Sequence, residues 1–297
     1  NKGAKWDGGK WSTLGDGVNI CDGPDCVTVQ SLALVGDDIY AIGNVLTDVK
    51  EVGGILRVQG FARWDGVNWS PVGGGVIGNS LTASINTIAV SGSDAYIGGN
   101  FFSAGGTPAT NIARWNGREW SPLGGGVDGC LSPHPNFSCS PFVATIAVKG
   151  NDVYAGGRFA EAGGKGANNI ARWDGERWHA LGSGANGLVL MLAVHGDFVY
   201  AGGTFTEIDG VKANGLARFD GEKWSPVGAG VDGFVDVIAF SAEYMYVAGD
   251  FKTAGGKPAF NFARWALPES STDPLLLLPR INRIANAGRK LKVFGER

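Results

Sequence analysis

Two stretches decide the fold: IAVKGNDVYAGGRF at residues 146–159 and, ten residues on, IARWDGERWHAL at residues 170–181. The first returns at 88–101, 192–205 and 238–251. The second, with the glycine-rich end that follows it, spans 171–184 and returns at 62–75, 113–126 and 217–230. An Ile-Ala or Leu-Ala anchor marks the copies at Leu32, Ile88, Ile146, Leu192 and Ile238, at intervals of 46 to 58 residues. Several short apolar runs recurring with so long a period are the signature of a propeller or solenoid.

A further copy is degenerate. Laying 85–101 over 281–297 matches Ile281, Asn282, Ile284, Ala285, Gly288 and Gly295 without a gap. The step from the Trp position to the anchor agrees: 19 residues from Trp173 to Leu192, from Phe219 to Ile238 and from Trp265 to Ile284. Residues 4–11 are a second half with no first half before them. Six first halves and six second halves make six units, one split between the chain ends. Pairing those ends leaves no open sheet edge. The sequence therefore predicts an all-β fold, a closed six-bladed β-propeller of four-stranded antiparallel blades, as a single domain over 1–297. The blades fall near 27–72, 83–123, 141–181, 187–227, 233–278, and 280–297 plus 1–14.

Within the third unit the strands are expected at 143–148, 153–159, 170–173 and 177–181, each close to the usual strand length. Turn formers separate the first two. Asp-Gly or Asn-Gly separates the last two at 174–175, 65–66, 116–117 and 220–221. Such dipeptides favour two-residue type I′ hairpins, which would pair Ala171 with Trp178 and Trp173 with Glu176. No apolar period of 3.6 residues is sustained, so helices should be nearly absent.

The repeat resembles the kelch-type propeller family in its Tyr-x-Gly-Gly second strand (96–99, 154–157, 200–203) and in Trp69, Trp120, Trp178 and Trp224 at the start of the fourth. The Asn-Ile-Ala-Arg-Trp-Asp-Gly form is similar to propeller repeats of bacterial secreted proteins and of fungal cell-surface landmark proteins. The resemblance implies a fold and leaves activity open. Ile42-Gly43, Ala248-Gly249 and Phe294-Gly295 depart from its Gly-Gly.

The net charge of −3 and a charged fraction of 18% suggest no nucleic-acid partner and no polybasic membrane patch. The apolar runs at 188–194 and 275–278 are far shorter than a membrane span. The start at Asn1, not Met, suits a processed secreted protein or a trimmed chain. Cys21 and Cys26, and Cys130 and Cys139, each share one long connection, which favours two local disulfides (Cys21–Cys26 and Cys130–Cys139) over zinc ligation. An oxidising, extracellular or cell-surface location follows as an expectation. Asn68 and Asn136 head glycosylation sequons.

Several motifs invite chemistry and are better read as framework. Four G-x-G-x-x-G segments (73–78, 124–129, 182–187, 228–233) each precede a strand, whereas a dinucleotide loop precedes a helix. All ten tryptophans occupy two repeat positions, as blade-packing residues do. Lys5, Arg63, Arg114, Arg172, Arg218 and Arg264 form a repeated series better tied to carboxylates or backbone carbonyls of the framework than read as an anion collar. His134, His179 and His195 fall in three different kinds of connection or strand, so no shared base or metal cluster is expected. There is no Gly-x-Ser-x-Gly elbow and no His-Glu-x-x-His. The Tyr/His/Cys ligand set of the copper-oxidase relatives of the kelch fold is not found. The expectation is a non-enzyme without a cofactor.

Propellers bind ligands through variable connections at one end of a rigid ring. Here the fourth-to-first and second-to-third connections carry what is idiosyncratic: 20–26, the longer 46–54, 128–140 and 207–209. The candidate ligand-binding residues are Asp22, Asp25, His134, Asn136, Glu207 and Asp209. Asp22 and Asp25, within one small loop, are a weak candidate calcium pair, and a solvated turn is the first expectation because two carboxylates alone do not define a calcium site. The sequence thus predicts a non-catalytic protein-binding or assembly module, including self-assembly. A glycan-binding lectin is the alternative.

Overall fold

The computed structural model describes residues 4–14, 29–51, 54–78, 83–129 and 140–267; of residues 30, 44–51 and 54–59 it describes the backbone alone. These residues form strands, turns and no helix, so none of them makes a helix long and apolar enough to cross a membrane. They fall into two compact units that divide between Gly184 and Ala185.

Four sheets are four-stranded antiparallel meanders. The first runs Val29–Val35, Asp38–Glu51, Gly54–Trp64, Trp69–Pro71; the second Ser84–Ser91, Asp94–Asn100, Ile112–Trp115, Trp120–Pro122. The third runs Phe142–Lys149, Asp152–Arg158, Ile170–Trp173, Trp178–Ala180; the fourth Val189–His195, Phe198–Gly203, Leu216–Phe219, Trp224–Pro226. A fifth has three described strands, Phe234–Phe240, Tyr244–Asp250 and Phe262–Ala266. Each first strand carries a bulge at one repeat position, for example between Val143 and Thr145 and between Val235 and Val237. The bulge bends the strand and raises its twist at the same place in every unit.

The turn between third and fourth strands differs from the expected two-residue hairpin. Trp173 pairs with Trp178 and Ala171 with Ala180, closing a four-residue loop. The cause is the Asp174 side chain, whose Oδ1 accepts the N–H groups of Glu176 and Arg177 at 2.9 and 2.8 Å. A type I′ turn needs positive φ at both central residues, yet here only Gly175 has it, at +102°. Asp65, Asn116 and Asp220 build the same side-chain-capped loop. The register sets two aromatic rings opposite each other, as in Trp115 on Trp120 with centroids 5.1 Å apart.

The connection at 46–54 also differs from a loop. The second and third strands of the first sheet stay paired from Leu46 with Gln59 to Glu51 with Gly54.

In the first unit one apolar cluster joins the first two sheets around Ile42, Phe61, Ile85 and Ile97. Another joins the second and third around Ile112, Val143, Ile146 and Val153. In the second unit a cluster around Leu216, Val235, Ile238 and Val247 joins the fourth and fifth. Fourth-strand tryptophans tie sheets together by hydrogen bonds as well. Trp120 Nε1–H donates to the Gly73 carbonyl at 3.0 Å and Trp178 Nε1–H to the Leu123 carbonyl at 2.7 Å.

Residues 4–14 form a two-stranded hairpin, Ala4–Trp6 with Trp11–Thr13. The expected partner, residues 280–297, lies outside the described residues.

Candidate functional site

The second-to-third connections are small hairpins, not bare turns. They pair Ser103–Ala104 with Thr107–Pro108, Glu161–Ala162 with Lys165–Gly166, Glu207–Ile208 with Val211–Lys212, and Thr253–Ala254 with Lys257–Pro258. Each meets the stretch that follows a fourth strand: Val76–Ile77 on Ser103–Ala104, Val127–Asp128 on Glu161–Ala162, Ala185 on Ile208 and Val231 on Ala254. The two kinds of connection expected to share one end therefore do come together within each unit. The G-x-G-x-x-G segments lie in this joint. Gly124 has φ +55°, and a Cβ there would sit 2.8 Å from Trp173 Cζ3. The 73–78 and 124–129 segments are turns packed on tryptophan, and all four segments lead into a strand or bridge.

The Asn of the repeated Asn-Ile-Ala-Arg-Trp is the rivet of the joint. Asn111 is buried at φ +63°. Its Oδ1 accepts the Phe101 N–H at 3.1 Å and its Nδ2–H donates to the Val127 carbonyl at 2.9 Å. One amide thus links the second strand, the third strand and the start of the next connection.

Glu207 and Asp209 are exposed on the hairpin of the fourth sheet, around buried Ile208. Asn186 fixes that hairpin, its Oδ1 accepting the N–H groups of Thr206 and Glu207 at 2.9 and 3.0 Å. Asp22, Asp25, His134, Asn136 and the pairs Cys21–Cys26 and Cys130–Cys139 lie outside the described residues. Asn68 is exposed in a third-to-fourth turn.

Beside the Glu207 hairpin the second unit carries two clefts missed by sequence reasoning. One, of about 360 Å³, is lined by Thr206, Asn214, Val231, Asp232, Thr253 and Gly256. The other, of about 340 Å³, is lined by Asp232, Phe234, Asp250, Phe251 and Lys252. Asp232 belongs to both. Its Oδ1 accepts the N–H groups of Lys252 and Thr253 at 2.8 and 2.7 Å, and these bonds hold its carboxyl below the usual range. Nearby Asp236 is displaced the other way, raised by burial and then by the Asp250 charge. The arrangement offers a fixed carboxylate, an exposed ammonium, two threonine hydroxyls and an amide to a polar ligand. The usable signal was Gly-Val-Asp-Gly, which occurs at 126–129 and again at 230–233.

The repeated arginines are paired within the framework. Arg63 bonds Asp38 in bidentate fashion at 2.7 and 3.0 Å, Arg114 bonds Asp94 at 2.8 Å, and Arg172 bonds Asp152 at 3.2 Å. In the last two sheets an aromatic replaces the carboxylate: the Arg218 guanidinium lies 4.6 Å over Phe198 and that of Arg264 lies 4.3 Å over Tyr244. His179 pairs with Asp174, and His195 stacks on Phe240. Among the described residues no group of three or more His, Cys, Asp and Glu is placed to hold a metal ion.

Six tryptophans are buried and Trp69 and Trp173 half-buried, but Trp6 and Trp11 are exposed. A smaller cleft in the first unit, of about 190 Å³, lies between the Gly124–Gly125 turn and Trp173, with Lys165, Glu176 and Arg177 at its rim.

No protein-family model and no curated protein matches the chain. A solved structure described as "YCF48 bound to D1 peptide" is similar at 16% identity with a TM-score of 0.44; the match covers 81% of this chain and spans 64% of that one.

Proposed function

We propose that this chain is a six-bladed β-propeller, closed by residues 4–14 with 281–297, that works outside the cell or on its surface as a non-catalytic binding module for a protein partner. The observation that carries the reading is the meeting of the variable connections at the ends of repeated rigid sheets, beside the two clefts that share Asp232. Loops over a rigid frame are where recognition residues concentrate. The exposed Glu207, Asp209, Asp232 and Lys252 give that end a polar, mixed-charge surface suited to a protein rim.

The test is capture of partners from the source's extracellular fraction by the full chain, repeated with Lys252→Glu and Glu207→Lys. Loss of one specific partner with an unchanged thermal midpoint supports the reading. Identical capture by both variants contradicts it.

A second reading is a lectin. The Trp173 cleft favours it, because a half-buried indole flanked by Lys165, Glu176 and Arg177 suits stacking and hydrogen bonding to a sugar ring. A glycan array with tryptophan-fluorescence titration separates the two: silence for the protein-binding module, a Trp173-dependent signal for the lectin.

A further inference from the structure

Arg158 stands apart from the paired arginines. It ends the strand Asp152–Arg158 opposite Phe142, at the end of the third sheet that carries the Glu161–Ala162 hairpin. Its guanidinium lies 4.9 Å over the Phe142 ring, and its buried Nε–H finds no acceptor. The Nε of Arg172 also lacks an acceptor, but its Nη1 meets Asp152. Among the described residues no carboxylate pairs with Arg158. The same repeat position is Asn100, Thr204 and Asp250 in other sheets. Asn100 Nδ2–H donates to the Pro141 carbonyl at 2.7 Å, and Thr204 Oγ1 accepts the Leu188 N–H at 3.0 Å. A charged donor left without its acceptor costs stability. The framework therefore gives no reason for an arginine here.

The second sheet carries an exposed apolar pair at the same end. In the fourth and fifth sheets Asn186 and Asp232 cap the small hairpins through their side chains. The equivalent residue of the second sheet is Ile77, which is 51% exposed, and Phe102 beside it is 43% exposed. The Phe102 N–H donates to the Ile77 carbonyl at 2.9 Å. The Asn100–Pro141 bond ties the two features together, since Phe102 follows Asn100 by two residues and Phe142 follows Pro141 directly. An apolar pair and a ring-held cation thus share the end where the sheets carry their variable connections.

We infer that Arg158 with Ile77 and Phe102 forms a contact surface for an acidic polypeptide segment. A side-chain carboxylate of the partner takes the Arg158 fork, and an apolar side chain near it covers Ile77 and Phe102. The charge commits the occupant: the planar guanidinium fork matches a carboxylate, and the ring beneath it fixes its orientation beforehand. The apolar pair supplies the dry contact that a carboxylate alone lacks. The surface lies in the first unit, apart from the Asp232 clefts of the second. It shares with the proposed function only that the partner is a polypeptide.

The test is binding of the full chain to an array of random octapeptides held by their C-termini, so that every carboxylate is an Asp or Glu side chain. Selection of peptides with an acidic residue close to a large apolar one is expected. Arg158→Gln should lose that binding at least tenfold without lowering the thermal midpoint, Arg158→Lys should recover it only in part, and Ile77→Ser with Phe102→Ser should weaken it several-fold. No acidic selection, equal binding by Arg158→Gln, or a lowered midpoint in that variant overturns the inference. Lys252→Glu should bind the array as the unaltered chain does, so failure of partner capture at the clefts and failure here are read separately.

Discussion

Trp69 donates its indole N–H to the carbonyl of Leu14 at 3.1 Å across 55 positions of sequence. The same bond, with the same separation of 55, joins Trp178 to Leu123 of the preceding sheet. The N-terminal hairpin therefore stands to the first sheet as the outer strands of the second sheet stand to the third. It occupies the place of a preceding half-sheet. Its Trp6 and Trp11 are 50% and 69% exposed, whereas Trp115 and Trp120 are buried.

Phenylalanine in place of either tryptophan keeps a ring and removes the donor. Trp178→Phe strands a buried carbonyl and should cost about 1–3 kcal/mol, against roughly 0.5–1.5 kcal/mol for the half-buried Trp69→Phe. Urea unfolding gives the order, and limited proteolysis of Trp69→Phe should show faster cutting within residues 4–14. Equal costs with unchanged cutting would argue that the hairpin is not held through this bond.

Gly124→Ala introduces a Cβ at φ +55° within 2.8 Å of the Trp173 ring, whereas Gly164→Ala, at φ +71°, meets open space. Both variants carry the backbone penalty of about 1 kcal/mol, and only the first adds steric conflict, for roughly 1–3 kcal/mol more. The measurement is the difference between their denaturation midpoints.

Asp65, Asp174, Asp220 and Asp232 all have carboxyl groups displaced below 3.8, first by backbone N–H donors. A carboxyl whose folded pKa lies below its unfolded value adds stability that is fully present above the unfolded value and fades as the pH falls through the folded one. These four groups should contribute a constant stability from pH 7 to about 5 that fades below about pH 4, whereas Asp236, raised, costs stability at neutral pH and returns it as the pH falls. Asn116 makes the same two bonds without charge, at 2.9 and 2.8 Å. Asp220→Asn should therefore keep its thermal midpoint at pH 7 and lose stability less steeply in acid, while Asp220→Ala loses it at every pH.

Asp152→Phe tests the exchange seen between sheets. Phe198 occupies the matching place under Arg218, so the variant should retain the fold with a change under about 1 kcal/mol, the scale of a half-exposed ion pair. Asp152→Lys, which sets like charges together, should be the worse of the two by thermal melting.

The repeat, the four-stranded antiparallel sheets and the meeting of variable connections were legible because period-2 apolar runs and Gly-rich turns are local signals. Three features were not. The loop register was misread because Asp174 acts through its side chain as an acceptor, while Asp-Gly by itself suggests a pair of positive φ angles. The small hairpins, such as Glu207–Ile208 with Val211–Lys212, are too short to show alternation. Asp232 lies inside the G-x-G-x-x-G segment at 228–233 that reads as framework, and only the fold makes it part of the lining of two clefts.

Ring closure is tested most directly by a cysteine pair. Ala113 and Ile97 are cross-strand partners in the second sheet, and the alignment puts Ala4 and Val293 in their places. The chain carrying Ala4→Cys and Val293→Cys, oxidised and mapped by mass spectrometry, should form that disulfide within one monomer and melt at a higher temperature. A chain in which these two cysteines stay unbonded, or bond only between molecules, contradicts the closed propeller.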